Sequence, residues 1–192
     1  QRVLRWGDER GSAEAFEDRG CGGLVISRKP VRRSGDDAGP AWIAAVRSRG
    51  IASLPWTDSA SRLRTRIGAL GTWRPELGLP DVSDEALLRS LDTWLSPYLS
   101  GKRRLEALQP SELSEALAAM LDYEQRRALD AHAPEELTVP SGISRRLEYG
   151  ARDDEPGAPP VLAVKLQELF GLADTPRAGE GRVPVMLHLL SP

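Results

Sequence analysis

The chain has 192 residues, a hydrophobic fraction of 40% and a formal net charge of −2. This composition allows one large or two small domains, and the near-neutral charge excludes a global basic field that would draw the chain onto nucleic acid. A single cysteine, Cys21, excludes an internal disulfide framework and fits a reducing, cytoplasmic compartment. No apolar run reaches the length of a membrane span, so we predict no contact with a membrane.

Residues 1–34 form the first predicted region, which holds three short strands joined by Gly-rich connections. The candidate strands are residues 3–6, 13–19 and 24–26, and such strands suit the closing part of a small β-barrel. Gln1 stands inside a strand-like pattern without an initiator Met. We therefore predict that the chain is a fragment of a longer protein.

Residues 35–136 predict a central bundle of four or five helices. Pro40 at a first turn and Gly50 after the last turn predict a helix over residues 40–49, and an apolar stripe predicts another over residues 57–70. Further helices are predicted after the candidate caps Ser83 and Ser111 and from Asp122. We expect four tryptophans of this region to lie at exposed edges: Trp42, Trp56, Trp73 and Trp94.

Residues 137–192 predict a small mixed sheet with one helix. Alternation over residues 145–149 and an apolar run over residues 161–164 predict two strands. Leu166, Leu169 and Phe170 then follow at helical spacing. Residues 183–190 are apolar on both faces, which predicts a central strand that packs His188 beside Met186. The complete chain is therefore predicted to be α+β.

No set of residues in this sequence assembles a catalytic site, a metal site or a nucleotide site. Asp84 and Glu85 open an amphipathic helix instead of ending a buried strand, so we interpret them as helix-capping acids and not as magnesium ligands. Residues 101–104 lack the glycine and hydroxyl spacing of a P-loop. With two histidines and one cysteine, a zinc site of ordinary spacing is not expected.

Several blocks of the sequence carry a family resemblance. They are densest at residues 137–142, 145–149, 160–176 and 181–192, and they extend upstream through residues 54–56 (Leu-Pro-Trp) to residues 23–25 (Gly-Leu-Val). Together they resemble the C-terminal region of the bacterial HrpB-type ATP-dependent helicases, relatives of the DEAH-box RNA helicases. The resemblance implies an accessory segment behind an ATPase motor, with residues 1–34 as the end of an OB-like domain. It also implies that ATP and magnesium belong to the parent protein and that no cofactor binds this segment. The implied partners are single-stranded RNA and the upstream motor domains.

The candidate functional residues are five cations of the terminal region: Arg145, Arg146, Lys165, Arg177 and Arg182. If several share a face, they form a surface that follows a phosphate backbone. The alternative is that they form ion pairs with Glu148, Glu168 and Glu180. A protein-docking module, favoured by the tryptophans, is the alternative function.

Overall fold

A computed structural model describes residues 2–6, 13–21, 24–30, 39–99, 108–150 and 157–191 of the chain. Grouped by contact, the chain forms two compact units. Unit 1 comprises Gln1–Thr57 and Asp84–Ala116, and unit 2 comprises Asp58–Ser83 and Leu117–Pro192. The mixed α+β prediction is confirmed. The three-part division at residues 34 and 136 stays a prediction.

Unit 1 begins with an antiparallel meander of three strands, β1 (Arg2–Trp6), β2 (Ala13–Cys21) and β3 (Leu24–Pro30). β1 pairs with β2 from Arg2 opposite Glu17 to Trp6 opposite Ala13. The register of β2 on β3 shifts between Arg19 and Gly20. No closed barrel is present among the described strands, and β3 continues four residues beyond its predicted end. The sequence also predicts a polar linker over residues 28–39. Its two ends lie in regular structure instead, since β3 extends to Pro30 and a helix begins at Gly39. Residues 31–38 and the basic residues 101–104 lie outside the described residues.

The helices of unit 1 bury an apolar core. α1 (Gly39–Arg49) lies against α5 (Ser96–Leu99) and against a 3-10 turn at Ile51–Ser53. α3 (Asp84–Arg89) and α4 (Leu91–Trp94) complete a helical stretch that the sequence predicts as one helix, kinked or ended at Pro97. Four members of its predicted apolar face are buried, Leu87, Leu91, Trp94 and Leu95, and the other two, Leu88 and Tyr98, are half-buried.

Two predictions, about the start of α6 and about the four tryptophans, are corrected. α6 (Pro110–Ala118) begins one residue before the predicted cap Ser111, and the N–H of Gln109 donates to the Glu112 carboxylate at 2.6 Å instead. The tryptophans do not form exposed edges: Trp42, Trp73 and Trp94 are buried, and Trp56 is half-buried with its indole N–H on the Ile51 carbonyl. Large aromatic side chains stabilise a fold most by burial, which explains their positions.

Unit 2 is built on α2 (Asp58–Trp73) and α7 (Tyr123–His132). α2 extends three residues past its predicted end and is followed by a 3-10 turn at Pro75–Leu77. α7 begins with the predicted capping box, in which Asp122 and Gln125 each satisfy the other's backbone N–H. The two helices share a core whose buried members include Ile67, Leu70, Leu121 and Leu129.

A four-stranded mixed sheet in the order β4–β5–β6–β9 completes unit 2. Its strands are β4 (Glu136–Thr138), β5 (Ser144–Glu148), β6 (Val161–Lys165) and β9 (Met186–Leu190). β6 passes into a 3-10 turn at Leu166–Leu169, close to the predicted helix. One face of the sheet packs Leu147, Leu162 and Val164 into a second core.

The last strand differs from its prediction. Residues 183–190 divide into β8 (Val183–Pro184), which pairs with β7 (Arg177–Ala178), and β9, which lies parallel to β6 at an edge of the described sheet. Leu189 and Leu190 are exposed, and so is His188, which was predicted to be packed. An apolar sequence therefore does not show that a strand is central in its sheet. The preference of apolar side chains for strands depends on their local packing, and an edge strand can also carry them.

Three glycines allow the backbone to approach α2 closely. Each has a positive φ: Gly150 at 69°, Gly157 at 85° and Gly179 at 60°. A Cβ atom on Gly157 would lie 2.5 Å from the Thr72 methyl group, and one on Gly150 would lie 2.7 Å from that of Thr65. Only glycine combines this backbone conformation with so short an approach.

Candidate nucleic-acid interface

The five predicted cations do not act as one cluster. Arg145 and Lys165 stand at neighbouring ends of β5 and β6, and Arg145 forms a bidentate ion pair with the buried carboxylate of Glu168. Its Nε donates to Glu168 Oε2 at 2.9 Å. The hydrogen bonds from Arg145 lower the pKa of Glu168, to which Lys165 adds a weaker electrostatic effect. For Arg145, the ion-pair alternative is the observed one.

Arg182 belongs to a second group of paired charges, Arg74, Glu76, Glu180 and Arg182, which we call the paired cluster. Arg182 donates to Glu76 Oε1 at 2.6 Å and to the carbonyl of Trp73, the last residue of α2, at 3.0 Å. Arg74 binds Glu76 at 2.6 Å and also binds Glu180. Arg177 lies apart from this group and donates from Nε to the Gly181 carbonyl at 2.5 Å.

The carboxylate of Glu76 is held in its charged form. A hydrogen bond from its own backbone N–H, together with the hydrogen bonds from Arg74 and Arg182, lowers its pKa to about 2. Two guanidinium groups and two carboxylates therefore compensate each other in the paired cluster. The positive charge of Arg182 is already used within the fold.

Arg146 differs from the three other predicted arginines, Arg145, Arg177 and Arg182, which all have hydrogen-bond partners. Side chains alternate along a strand, so Arg145 and Leu147 point to one face of the sheet and Arg146 points to the other face. Its side chain forms no hydrogen bond or ion pair with any residue that the structure describes, and it is exposed.

Arg146 lines a cavity of about 200 Å³ between β5 and α2, which we call the pocket. Helix α2 contributes four side chains spaced over two turns, and the sheet side contributes the rest. The lining residues are Ser61, Arg62, Thr65, Arg66, Glu135, Arg146, Leu147 and Tyr149. The helical contribution was not predicted from the sequence, although Ser61 with Thr65 and Arg62 with Arg66 recur at a spacing of four that places each pair on one face.

Arg66 forms a fixed wall of the pocket. It is 4% exposed, and its Nε donates to the carbonyl of Ala133 at 2.7 Å. Its two terminal nitrogens donate to Glu135 at 2.7 Å and to Asp130 at 3.2 Å. Since Ala133 follows the last residue of α7, the guanidinium also sits where a cation complements the helix dipole.

Tyr149 closes another side of the pocket. Its hydroxyl donates to the Pro134 carbonyl at 2.6 Å, and its ring lies 6.0 Å from that of Trp73. Burial raises the pKa of Tyr149 well above its ordinary value, so the phenol stays neutral at physiological pH. It adds no negative charge to the pocket.

The described residues show no other arrangement that suggests chemistry. Within them, no three His, Cys, Asp or Glu side chains come together as a metal site, and no described helix is long and apolar enough to cross a membrane. Arg62 resembles Arg146 in having no side-chain partner among the described residues. Among the described residues, the pocket therefore brings together two arginine side chains that have no partner.

The sequence of the chain matches a known protein family. Residues 94–192 match the family described as ATP-dependent helicase C-terminal. The chain is 36% identical over 191 residues to the ATP-dependent RNA helicase HrpB of Escherichia coli strain K12, covering 99% of the chain and 23% of that protein.

Two solved structures show the same similarity. A crystal structure of the E. coli DExH-box NTPase HrpB superposes with a TM-score of 0.81 at 36% identity, over 100% of this chain and 23% of that one. A crystal structure of the Escherichia coli DEAH/RHA helicase HrpB gives a TM-score of 0.79 at 35% identity, over 98% and 24%. The chain thus spans about a quarter of the length of the relatives that it matches.

Proposed function

This chain belongs to the HrpB family of ATP-dependent helicases as their C-terminal region, and from that premise we propose that it is an accessory part of an RNA helicase that contacts the nucleic acid. In this proposal the motor that hydrolyses ATP with magnesium lies elsewhere in the parent protein. The observation that carries the proposal is the 36% identity over 191 residues to an ATP-dependent RNA helicase.

The charges of unit 2 support contact with RNA over a purely structural role. Arg146 is exposed and Arg62 is half-buried, and neither has a described partner, whereas Arg145 and Arg182 are paired with carboxylates. Water solvates a cation that has no carboxylate partner. When such a cation binds a phosphate backbone, it releases condensed counterions, and this release contributes favourably to the binding free energy.

Fluorescence anisotropy with a labelled single-stranded oligouridylate tests the proposal on the 192-residue chain. We expect binding at 25 mM salt that weakens at least tenfold at 200 mM, since backbone contacts release counterions. Absence of binding at 25 mM salt would contradict an RNA-contacting role.

A second candidate function is docking onto the motor domains of the parent helicase, and it rests on an apolar end of the sheet in unit 2. Here β6 and β9 end in register at Lys165 and Leu190, and the antiparallel β5 begins. Gly171 lies against Pro140 at the same end. Five exposed apolar side chains belong to the segments that begin or end there: Ile143, Leu166, Phe170, Leu189 and Leu190. Such a patch is typical of a protein contact.

Size-exclusion chromatography of this chain with separately purified motor domains tests the docking function. The double variant Phe170→Ser/Leu190→Ser should abolish co-elution, because it replaces two exposed apolar contacts. Tyr123→Ser provides the matched control, since Tyr123 is equally exposed at 72% but lies at the start of α7. Equal co-elution of all three proteins would exclude this end of the sheet as the contact.

A further inference from the structure

We propose that the pocket between α2 and β5 binds one phosphate group of a single-stranded RNA backbone, held by Arg62 and Arg146. This inference rests on the proposed function and gives it a defined site. It concerns residues of α2 and β5 that are far apart in sequence and that the fold brings to one cavity.

The charge balance of the pocket favours an anion. Three guanidinium groups line it, those of Arg62, Arg66 and Arg146, and the single lining carboxylate, Glu135, is already bound by Arg66. Asp130 offers Arg66 a second carboxylate from outside the lining. Two guanidinium groups therefore remain for a ligand, and arginine binds phosphate in a bidentate geometry.

The hydrogen-bond donors show which side chains are free to bind the ligand. Thr65 donates its hydroxyl proton to the Ser61 carbonyl at 2.9 Å, and Tyr149 donates its own to Pro134. Neither hydroxyl has a proton left for an anion. The Ser61 hydroxyl and the Arg62 and Arg146 guanidinium groups have no described side-chain partner, so these three groups would contact the phosphate oxygens.

The size of the cavity fits one group of a long ligand. Its volume of about 200 Å³ is below the roughly 300–1,000 Å³ of pockets that enclose a whole small molecule. A phosphodiester enters such a cavity while the sugars and bases on either side remain outside. The wall is rigid before binding, because Arg66 is fixed by three partners.

Titration of the whole 192-residue chain with labelled oligouridylate at 25 mM salt tests the site. We expect the double variant Arg62→Gln/Arg146→Gln to bind at least tenfold more weakly than the wild type and to show a shallower dependence of affinity on salt. Neither side chain has a described partner, so both proteins should unfold at the same urea concentration.

Arg127→Gln is the control for the loss of surface charge outside the pocket. It removes one exposed arginine of unit 2, where the double variant removes two, and its partner Glu124 lies 3.8 Å away on the surface of α7. We expect its affinity for the oligouridylate to stay within twofold of the wild type. A loss equal to that of the double variant would overturn the proposal, because it would show that net charge and not the pocket determines binding.

Two competitors identify the group that is bound. Inorganic phosphate at millimolar concentration should displace the oligouridylate from the wild type. Hexaglutamate, added at the same total negative charge as the phosphate, should do so at least fivefold less effectively. Equal displacement by hexaglutamate would overturn the phosphate assignment in favour of an acidic peptide.

The possible failures are distinguishable. If the wild type binds RNA and the double variant binds it equally well, the pocket is excluded and the proposed function stands. If the wild type binds no RNA at low salt, the RNA contact itself is excluded and the pocket proposal falls with it.

Discussion

Two groups of arginines lie along α2, and they show opposite uses of the same side chain. At the C-terminal end of the helix, Arg74 and Arg182 are matched by Glu76 and Glu180. In the first half, Arg62 lines the pocket with Arg146, and neither has a partner among the described residues. The number of arginines on a surface therefore does not predict where an anion binds. The carboxylates that the fold supplies decide it.

The largest change in stability is expected at Arg66, which is a buried arginine of α2. Replacing it with methionine leaves the buried carbonyl of Ala133 without its donor and removes both ion pairs. We expect Arg66→Met to lower the free energy of unfolding by roughly 2–4 kcal/mol. Urea denaturation followed by circular dichroism measures it, with Arg127→Met as the exposed control. A loss below about 1 kcal/mol would show that Arg66 does not stabilise the exit of α7.

Arg182 should matter much less to stability, although it has as many polar contacts. Its side chain is half exposed, and water solvates both partners when the pair is broken. Arg182→Met should therefore cost at most about 1 kcal/mol by the same urea measurement. A cost equal to that of Arg66→Met would mean that burial does not separate the two groups of arginines.

The smallest expected effect is the pH dependence of the paired cluster. Because the pKa of Glu76 is lowered from 4.5 to about 2 in the folded chain, its contribution to stability is complete above pH 4.5. That contribution is lost as the pH falls from 4.5 towards 2, where the carboxylate is protonated.

Glu76→Gln should accordingly flatten the acid limb of a thermal-denaturation series between pH 5 and pH 2.5. It should leave a residual slope from Glu168, whose pKa is also lowered. An acid limb identical to that of the wild type would show that the paired cluster does not stabilise the fold.

Local signals in the sequence predicted local structure well. The capping box at Asp122 and Gln125 is confirmed because both hydrogen bonds form within four residues. The strand at residues 161–164 and the short helical turn after it are likewise confirmed. The break between α3 and α4 was not predicted, since the apolar spacing continues across it, whereas an interruption was predicted at Pro97, where the separate helix α5 lies.

Long-range partners were beyond a single sequence. Ion pairing was named as an alternative for the five cations, and Arg145 does pair with Glu168. Glu180, however, pairs with Arg74, and Arg182 pairs with Glu76 across a separation of 106 residues. The pocket joins two distant segments in the same way, so only its half at Arg146 was predicted. The role of the five cations in binding RNA stays a prediction.

The parallel pairing of β6 with β9 has a consequence for how the chain is made. β6 ends at Lys165, and its neighbour begins only at Met186, after a turn and the small β7–β8 ribbon. Parallel neighbours always require such a crossover. The entropy lost on closing the connection opposes folding until the contacts between the two strands form. On the ribosome, β6 therefore waits with one side open until the final strand has emerged, so unit 2 is completed only when synthesis has passed Leu190.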